Sequence, residues 1–286
     1  MLRHADGVID VTLLRYRLLH TEPMLHEVAK CKSGASSGES SETWFIHQLI
    51  SIISITQQNH LYRRIDSYIV HHNFLTVHNI HILAVQNTTM AANALVESLK
   101  SANLLPSAII PSSFTPSLDL SVKFSSGLAP ENGSLARVSQ VKEQPIISIC
   151  SPPTSSAASY TFMMIDPDAP TPDDPKFGYW RHWVVTSIPS PSATTSPEDI
   201  TARGKTLTQY LAPGPKDESG PHRYLFLLFE EKSGETLEKA DVGGEEFVER
   251  RSFRAEQLAE KKGLKLVGVQ WMRGVRDGWK GEKDEL

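Results

Sequence analysis

Apolar positions along the second two-thirds of the chain come in short blocks whose period changes from block to block. Leu118, Leu120, Val122 and Phe124 alternate with Asp119, Ser121 and Lys123, the period-2 pattern of a half-buried strand. Further strands are predicted over Ile146–Cys150, Tyr160–Ile165, Trp180–Ile188, His222–Glu230 and Leu264–Trp271, separated by loops rich in Pro, Gly and Ser. Two stretches read as helices. After Met90, the residues Ala91, Ala94, Leu95, Ser98 and Leu99 fall on one helical face, and Pro106 ends the pattern. Over Glu245–Lys262, Phe247, Phe253, Leu258 and Ala259 supply an apolar side, two lysines occupy the last turn, and Gly263 suits the C′ position. Many short strands with few helices predict a mainly β chain. The expected architecture is a two-sheet antiparallel β-sandwich with a few peripheral helices, one of them near the C-terminus, rather than βαβ units.

The pattern weakens towards the N-terminus, and composition changes with it near residue 89. Nine of the 11 histidines lie in residues 1–89, whereas 17 of the 18 prolines lie beyond. Ser33 to Ser41 is a Ser/Gly-rich run that reads as a linker. Trp44 to Ile55 is strongly apolar but too short to span a bilayer, and it lacks the flanks of a signal peptide. Residues 1–89 are therefore expected to be a poorly ordered or dispensable extension, with the functional domain over 90–286.

Composition removes several classes of function. With 40% hydrophobic and 22% charged residues the chain can bury a core. Its net charge of −4 argues against nucleic acid as a partner, because a phosphate-binding face should be basic. Two cysteines exclude a disulfide scaffold, and Cys31 and Cys150 fall on opposite sides of the compositional break. No apolar run reaches the ~20 residues of a transmembrane helix. Gly34-Ala35-Ser36-Ser37-Gly38 has the letters of a nucleophile elbow but not the strand-turn-helix context. The chain ends Lys283-Asp284-Glu285-Leu286, an endoplasmic-reticulum retrieval signal if an entry signal exists; Asn87 and Asn132 begin glycosylation sequons under the same condition. A cytoplasmic location is the expectation, with the endoplasmic reticulum as the alternative.

Candidate chemistry concentrates in three segments. Asp166-Pro167-Asp168-Ala169-Pro170 follows the apolar run YTFMMI, so Asp166 stands at the end of a buried strand and needs a partner. On this segment alone a surface Asp/Pro turn is the simpler reading, and the bond before Pro170 is a candidate for cis. In Trp180-Arg181-His182-Trp183-Val184, strand alternation puts Trp180, His182 and Val184 on one face and Arg181 and Trp183 on the other. Gly214-Pro215-Lys216 leads to Pro221-His222-Arg223-Tyr224, with His222, Tyr224, Phe226 and Leu228 sharing a face. If these strands are neighbours, two imidazoles, an indole and a phenol meet the Asp166 carboxylate at one rim. Two histidine donors, a tyrosine hydroxyl and backbone N–H groups near Gly214 would suit a phosphate or carboxylate. Two histidines with carboxylates could also hold zinc, but a catalytic zinc site takes three well-placed ligands and the carboxylates here have structural duties. No serine or cysteine nucleophile is placed against either histidine by sequence pattern, which argues against a catalytic cycle.

DPDAP, then W-x-H after nine residues, then G-P followed by G-x-H-R-Y and an apolar strand, resembles the phosphatidylethanolamine-binding protein family. The likeness covers about Ala91 to Trp271, and the text LLPSAIIPSSFTPSLDLSVKF looks most like fungal members. The resemblance implies a β-sandwich with a small anion pocket at one end. The pocket should be formed by Asp166, Asp168, Pro170 (cis), Trp180, His182, Gly214, Pro215, His222 and Tyr224. It implies a binding or regulatory protein for phosphate headgroups, phosphorylated side chains or small carboxylates, acting on a partner kinase or protease, with no cofactor, metal or catalytic residue. A carboxypeptidase inhibitor and an enzyme-like accessory protein of a fungal secondary-metabolite pathway are the alternatives. Three features depart from the family pattern: Phe177 in place of a frequent tyrosine, Lys216 in place of a second proline, and the pair Thr171-Pro172 after DPDAP.

Overall fold

A computed structural model describes residues 89–149, 159–190 and 198–281. The expectations placed on residues 1–88, on Cys150 and on the last five residues lie outside the described residues. Helix α1 spans 89–101 and is followed by β1 (Leu120–Lys123), β2 (Leu135–Arg137), β3 (Ile146–Ile149), β4 (Ser159–Asp166), β5 (Trp180–Pro189), β6 (Lys205–Thr208), β7 (His222–Glu230), α2 (Lys239–Val242), α3 (Ala255–Lys262) and β8 (Lys265–Val275).

The strands form a six-stranded sheet in the order β2-β8-β7-β4-β5-β6 and a two-stranded pair of β1 with β3. Neighbours in the large sheet run antiparallel except β2 and β8, which are parallel. The expected two antiparallel sheets are thus replaced by one mixed sheet and a small antiparallel pair. The cause lies in the central strands. YTFMMI in β4 and YLFLLF in β7 are buried at every position, with Thr161 the one non-aromatic polar side chain among them, so both faces of the sheet centre must be covered. On one face Met163, Ile165, Leu225, Leu227 and Phe229 pack with Leu95 and Leu99 of α1 and Leu258 of α3. On the other, Phe162, Met164, Phe226 and Leu228 pack beneath Leu120, Val122 and Ile147 of the β1/β3 pair.

The region Glu245–Lys262 is not one helix. It forms a 3-10 turn over Phe247–Arg250 and then α3, with Ser252 between them at φ 49°. Tertiary hydrogen bonds take the backbone away from a helix: the Ser252 N–H donates to the Phe177 carbonyl (2.9 Å) and the Phe253 N–H to that of Tyr179 (2.8 Å). Phe253 is buried, whereas Phe247 and Val248 remain 62% and 60% exposed. Gly263 caps α3 in the left-handed region (φ 62°), where glycine carries no Cβ penalty.

Candidate functional site

Antiparallel pairing brings the end of β4 beside the starts of β5 and β7. Asp166 pairs with Trp180, and Ile165 with both Arg181 and Leu225. Between Ile165 and Met164 the partner strand advances from Arg181 to Trp183, so His182 is the extra residue of a β-bulge. The bulge breaks the alternation read from sequence. His182 meets the edge of Tyr224 (ring centroids 5.2 Å apart), whereas Val184 packs into the opposite core. Bulged carbonyls need donors, and Arg250 supplies them: its Nη1 donates to the carbonyls of Arg181 (3.3 Å), His182 (3.0 Å) and Gln209 (2.9 Å). Arg181 lies behind the bulge, its Nε donating to the Thr208 hydroxyl (2.9 Å). Burial and the neighbouring Arg250 lower its pKa to about 10.

His182 and the segment before Gly214 clamp each other. The Leu211 N–H donates to the His182 carbonyl (2.9 Å), and His182 Nδ1 donates to the Leu211 carbonyl (2.6 Å). A carbonyl oxygen only accepts, so the proton on Nδ1 is fixed by this contact. Burial pushes the His182 pKa below its ordinary 6.5, with Asp166 and the Leu211 hydrogen bond opposing and Arg250 and His222 reinforcing the shift. The unfolded chain takes up this proton near pH 6.5, and the folded chain only at lower pH. Stability from this group is therefore present above 6.5 and lost as pH falls through that value towards the folded pKa. The urea midpoint should decline from about pH 7 to about pH 5. His182→Asn, which can keep a donor for Leu211, should flatten that part of the decline.

His222 and Tyr224 share the face with His182. The His222 ring stacks near Tyr224 at 6.4 Å between centroids. Its Nδ1 donates to Asp166 Oδ2 (2.9 Å), and its Nε2 lies 3.1 Å from the Ser219 hydroxyl. The other Asp166 oxygen accepts the Asp168 N–H (2.6 Å), which closes the DPDAP turn; Ala169–Pro170 is cis. Burial, with Asp166 and Asp168 nearby, pushes the Tyr224 phenol well above its ordinary value, and a hydrogen bond with the Gly214 backbone opposes that. Tyr224 also lies against Gly274 of β8, where a Cβ would stand 2.5 Å from the ring.

The other sequence candidates divide by role. Asp168 is 1% exposed and faces Arg223, not open space: it accepts from the Arg223 N–H (2.7 Å), Nε (2.9 Å) and Nη2. Trp180 sits at the rim, 4.7 Å from the ring of exposed Phe247, with the Arg251 guanidinium stacked on Phe177 at 4.5 Å. Gly214 is exposed, Pro215 is buried, and a Cβ at Gly214 or Gly220 would meet nothing within 4 Å, so both border open space. Among the described residues, no three His, Cys, Asp or Glu side chains converge as a metal site requires.

Residues 112–265 match the family described as phosphatidylethanolamine-binding protein. The chain belongs to this family. A CEN-like protein 4 from Nicotiana tabacum is 32% identical over 145 residues, which cover 51% of this chain and 77% of the relative. The fold is similar to that of a carboxypeptidase Y inhibitor solved with its cognate proteinase (TM-score 0.55, 24% identity, 65% of this chain and 97% of that one). It is also similar to a phosphatidylethanolamine-binding protein from Plasmodium vivax (TM-score 0.51, 24% identity, 64% and 97%). Within this frame two functional neighbours escaped the sequence reading. Ser219 stands three residues before His222 and contacts its ring, a spacing that a search for a serine beside the histidines could have tested. Arg250 reaches the bulge from 68 residues away, and nothing local announces it.

Proposed function

We propose that the open end of the sheet binds a small phosphate-bearing or carboxylate ligand and that the protein acts as a binding or regulatory module for a partner protein. The observation that carries this reading is the convergence of His182 and His222 on Tyr224, with the Asp166–His222 pair beneath and open space beside Gly214. The Tyr224 phenol keeps its proton and can donate it to a ligand oxygen. Supporting a protein partner are Phe247 and Val248, exposed beside the Trp180 rim. Calorimetric titration with O-phosphorylethanolamine tests the ligand site. Tyr224→Phe removes one hydroxyl and little volume, and should weaken binding roughly five- to tenfold, the worth of one hydrogen bond of about 1–1.5 kcal/mol. Equal affinity for wild type and variant would remove Tyr224 from the site.

A second reading has one observation in its favour. Ser219 Oγ, His222 and Asp166 stand in the order and contacts of a Ser-His-Asp triad, at 3.1 and 2.9 Å. The serine hydroxyl is shared, however, because it also donates to the Lys216 carbonyl (2.9 Å) of its own turn. A fluorophosphonate probe decides between the readings. The binding reading expects no adduct, and an adduct on Ser219 that His222→Ala abolishes would establish hydrolytic chemistry instead.

A further inference from the structure

We propose that the site recognises a phosphomonoester as its monoanion, with the ligand's own P–OH donating a hydrogen bond to His182 Nε2, in preference to the dianion. This rests on the phosphate-ligand reading above and narrows it. Proton positions on the two histidines decide the chemistry offered to a guest. His182 spends its N–H on the Leu211 carbonyl at 2.6 Å, so in the neutral ring Nε2 carries a lone pair. The residue is 4% exposed, and Nε2 has no hydrogen-bond partner among the described residues. Burial favours the neutral ring. His222 offers no alternative donor, since Nδ1 is bound to Asp166 and Nε2 faces Ser219. The free imidazole nitrogen at this site is therefore an acceptor, the reverse of the two donors expected from sequence.

Charge acts in the same direction. From β4, Asp166 places a carboxylate one hydrogen bond from His222, and a second negative charge on the ligand is repelled by it. Asp168 and Arg223 compensate each other. Arg250, packed on β5 from the 3-10 turn, directs its Nη1 donor into backbone carbonyls, and Arg181 lies behind the bulge. Lys216, two residues past Gly214, is exposed. A dianion brings only acceptors to His182 Nε2 and adds repulsion with Asp166, whereas a monoanion supplies the missing proton.

The test holds pH constant, so that the protein's own titration does not intrude, and varies the ligand. Methylphosphonate and trifluoromethylphosphonate are near-isosteres whose second ionisations fall above and well below neutrality. At about pH 7, calorimetry on the full chain should find methylphosphonate bound at least tenfold more tightly, in line with its larger protonated fraction. Dimethyl phosphate, a monoanion without a proton to give, should bind no better than the fluorinated compound. Equal affinities for the two phosphonates, or tighter binding of the fluorinated one, would overturn the protonation inference and leave the phosphate site standing. Failure of every probe to bind would overturn both. Nitrogen-15 shifts provide a second readout: a lone-pair signature at His182 Nε2 is expected in the free protein, and an N–H signature there defeats the proposal.

Discussion

Replacing Arg223 with alanine is expected to lower the unfolding free energy by about 3–5 kcal/mol, the cost of leaving a buried carboxylate without its cation. Asp168 is held at 1% exposure by three donors of Arg223, two of them from the side chain. The same guanidinium donates through Nη1 to the Ala102 carbonyl just past α1 (2.7 Å), so its loss also frees the helix end from the sheet. Comparison with the Lys100–Glu97 pair sets the scale. That pair is also short, at 2.7 Å, but its side chains are 53% and 69% exposed, and breaking it should cost well under about 1 kcal/mol. Desolvation, not distance, separates the two cases. Denaturant unfolding measures both variants, and the double change Asp168→Ala with Arg223→Ala should recover part of the loss. A cost for Arg223→Ala no larger than that for Lys100→Ala would mean that Asp168 is stabilised by something else.

The parts of this architecture visible in sequence are those dictated by local pattern. His222–Glu230 emerges as β7 with its predicted bounds, because the unbroken apolar run Tyr224–Phe229, closed by Glu230 and Glu231, admits few alternatives. Asp166 is legible for a related reason: a carboxylate ending a buried strand must find a donor, and His222 is that donor. What was not legible depends on contacts distant in sequence. The helix expected over Glu245–Lys262 fails because Phe177 and Tyr179 accept its backbone N–H groups, and no periodicity within the segment reveals that. Alternation misassigned Val184 to the face of His182 because the bulge inserts one residue, and the bulge is held by Arg250 from another loop. Asp168 belongs to the same motif as Asp166, yet its oxygens serve Arg223, so a shared motif did not mean a shared role. Fold class follows from pattern here, while the protonation and orientation of the site follow from tertiary partners.

Asp166→Asn is the substitution expected to disturb the site most while keeping its shape. The amide oxygen can still accept from the Asp168 N–H, now at 2.6 Å from Oδ1, so the DPDAP turn should persist. The amide nitrogen then faces His222 Nδ1, which already carries a hydrogen, and two donors cannot share that 2.9 Å contact. His222 must shift its proton to Nε2, where the Ser219 hydroxyl can accept it at 3.1 Å. Losing a hydrogen bond to a charged acceptor costs about 1.5–3 kcal/mol of stability. The loss should be smaller than for Arg223→Ala, because the tautomer shift leaves no group unpaired. Ligand affinity should change in the other direction from a simple loss of packing. With the carboxylate gone, the repulsion that disfavours a doubly charged guest is removed, and the preference for methylphosphonate over its fluorinated analogue should shrink several-fold. Nitrogen-15 spectra resolve the tautomer of His222 directly. An unshifted His222 in the Asn variant, with phosphonate preference intact, would show that Asp166 sets neither the proton position nor the charge selectivity of the site.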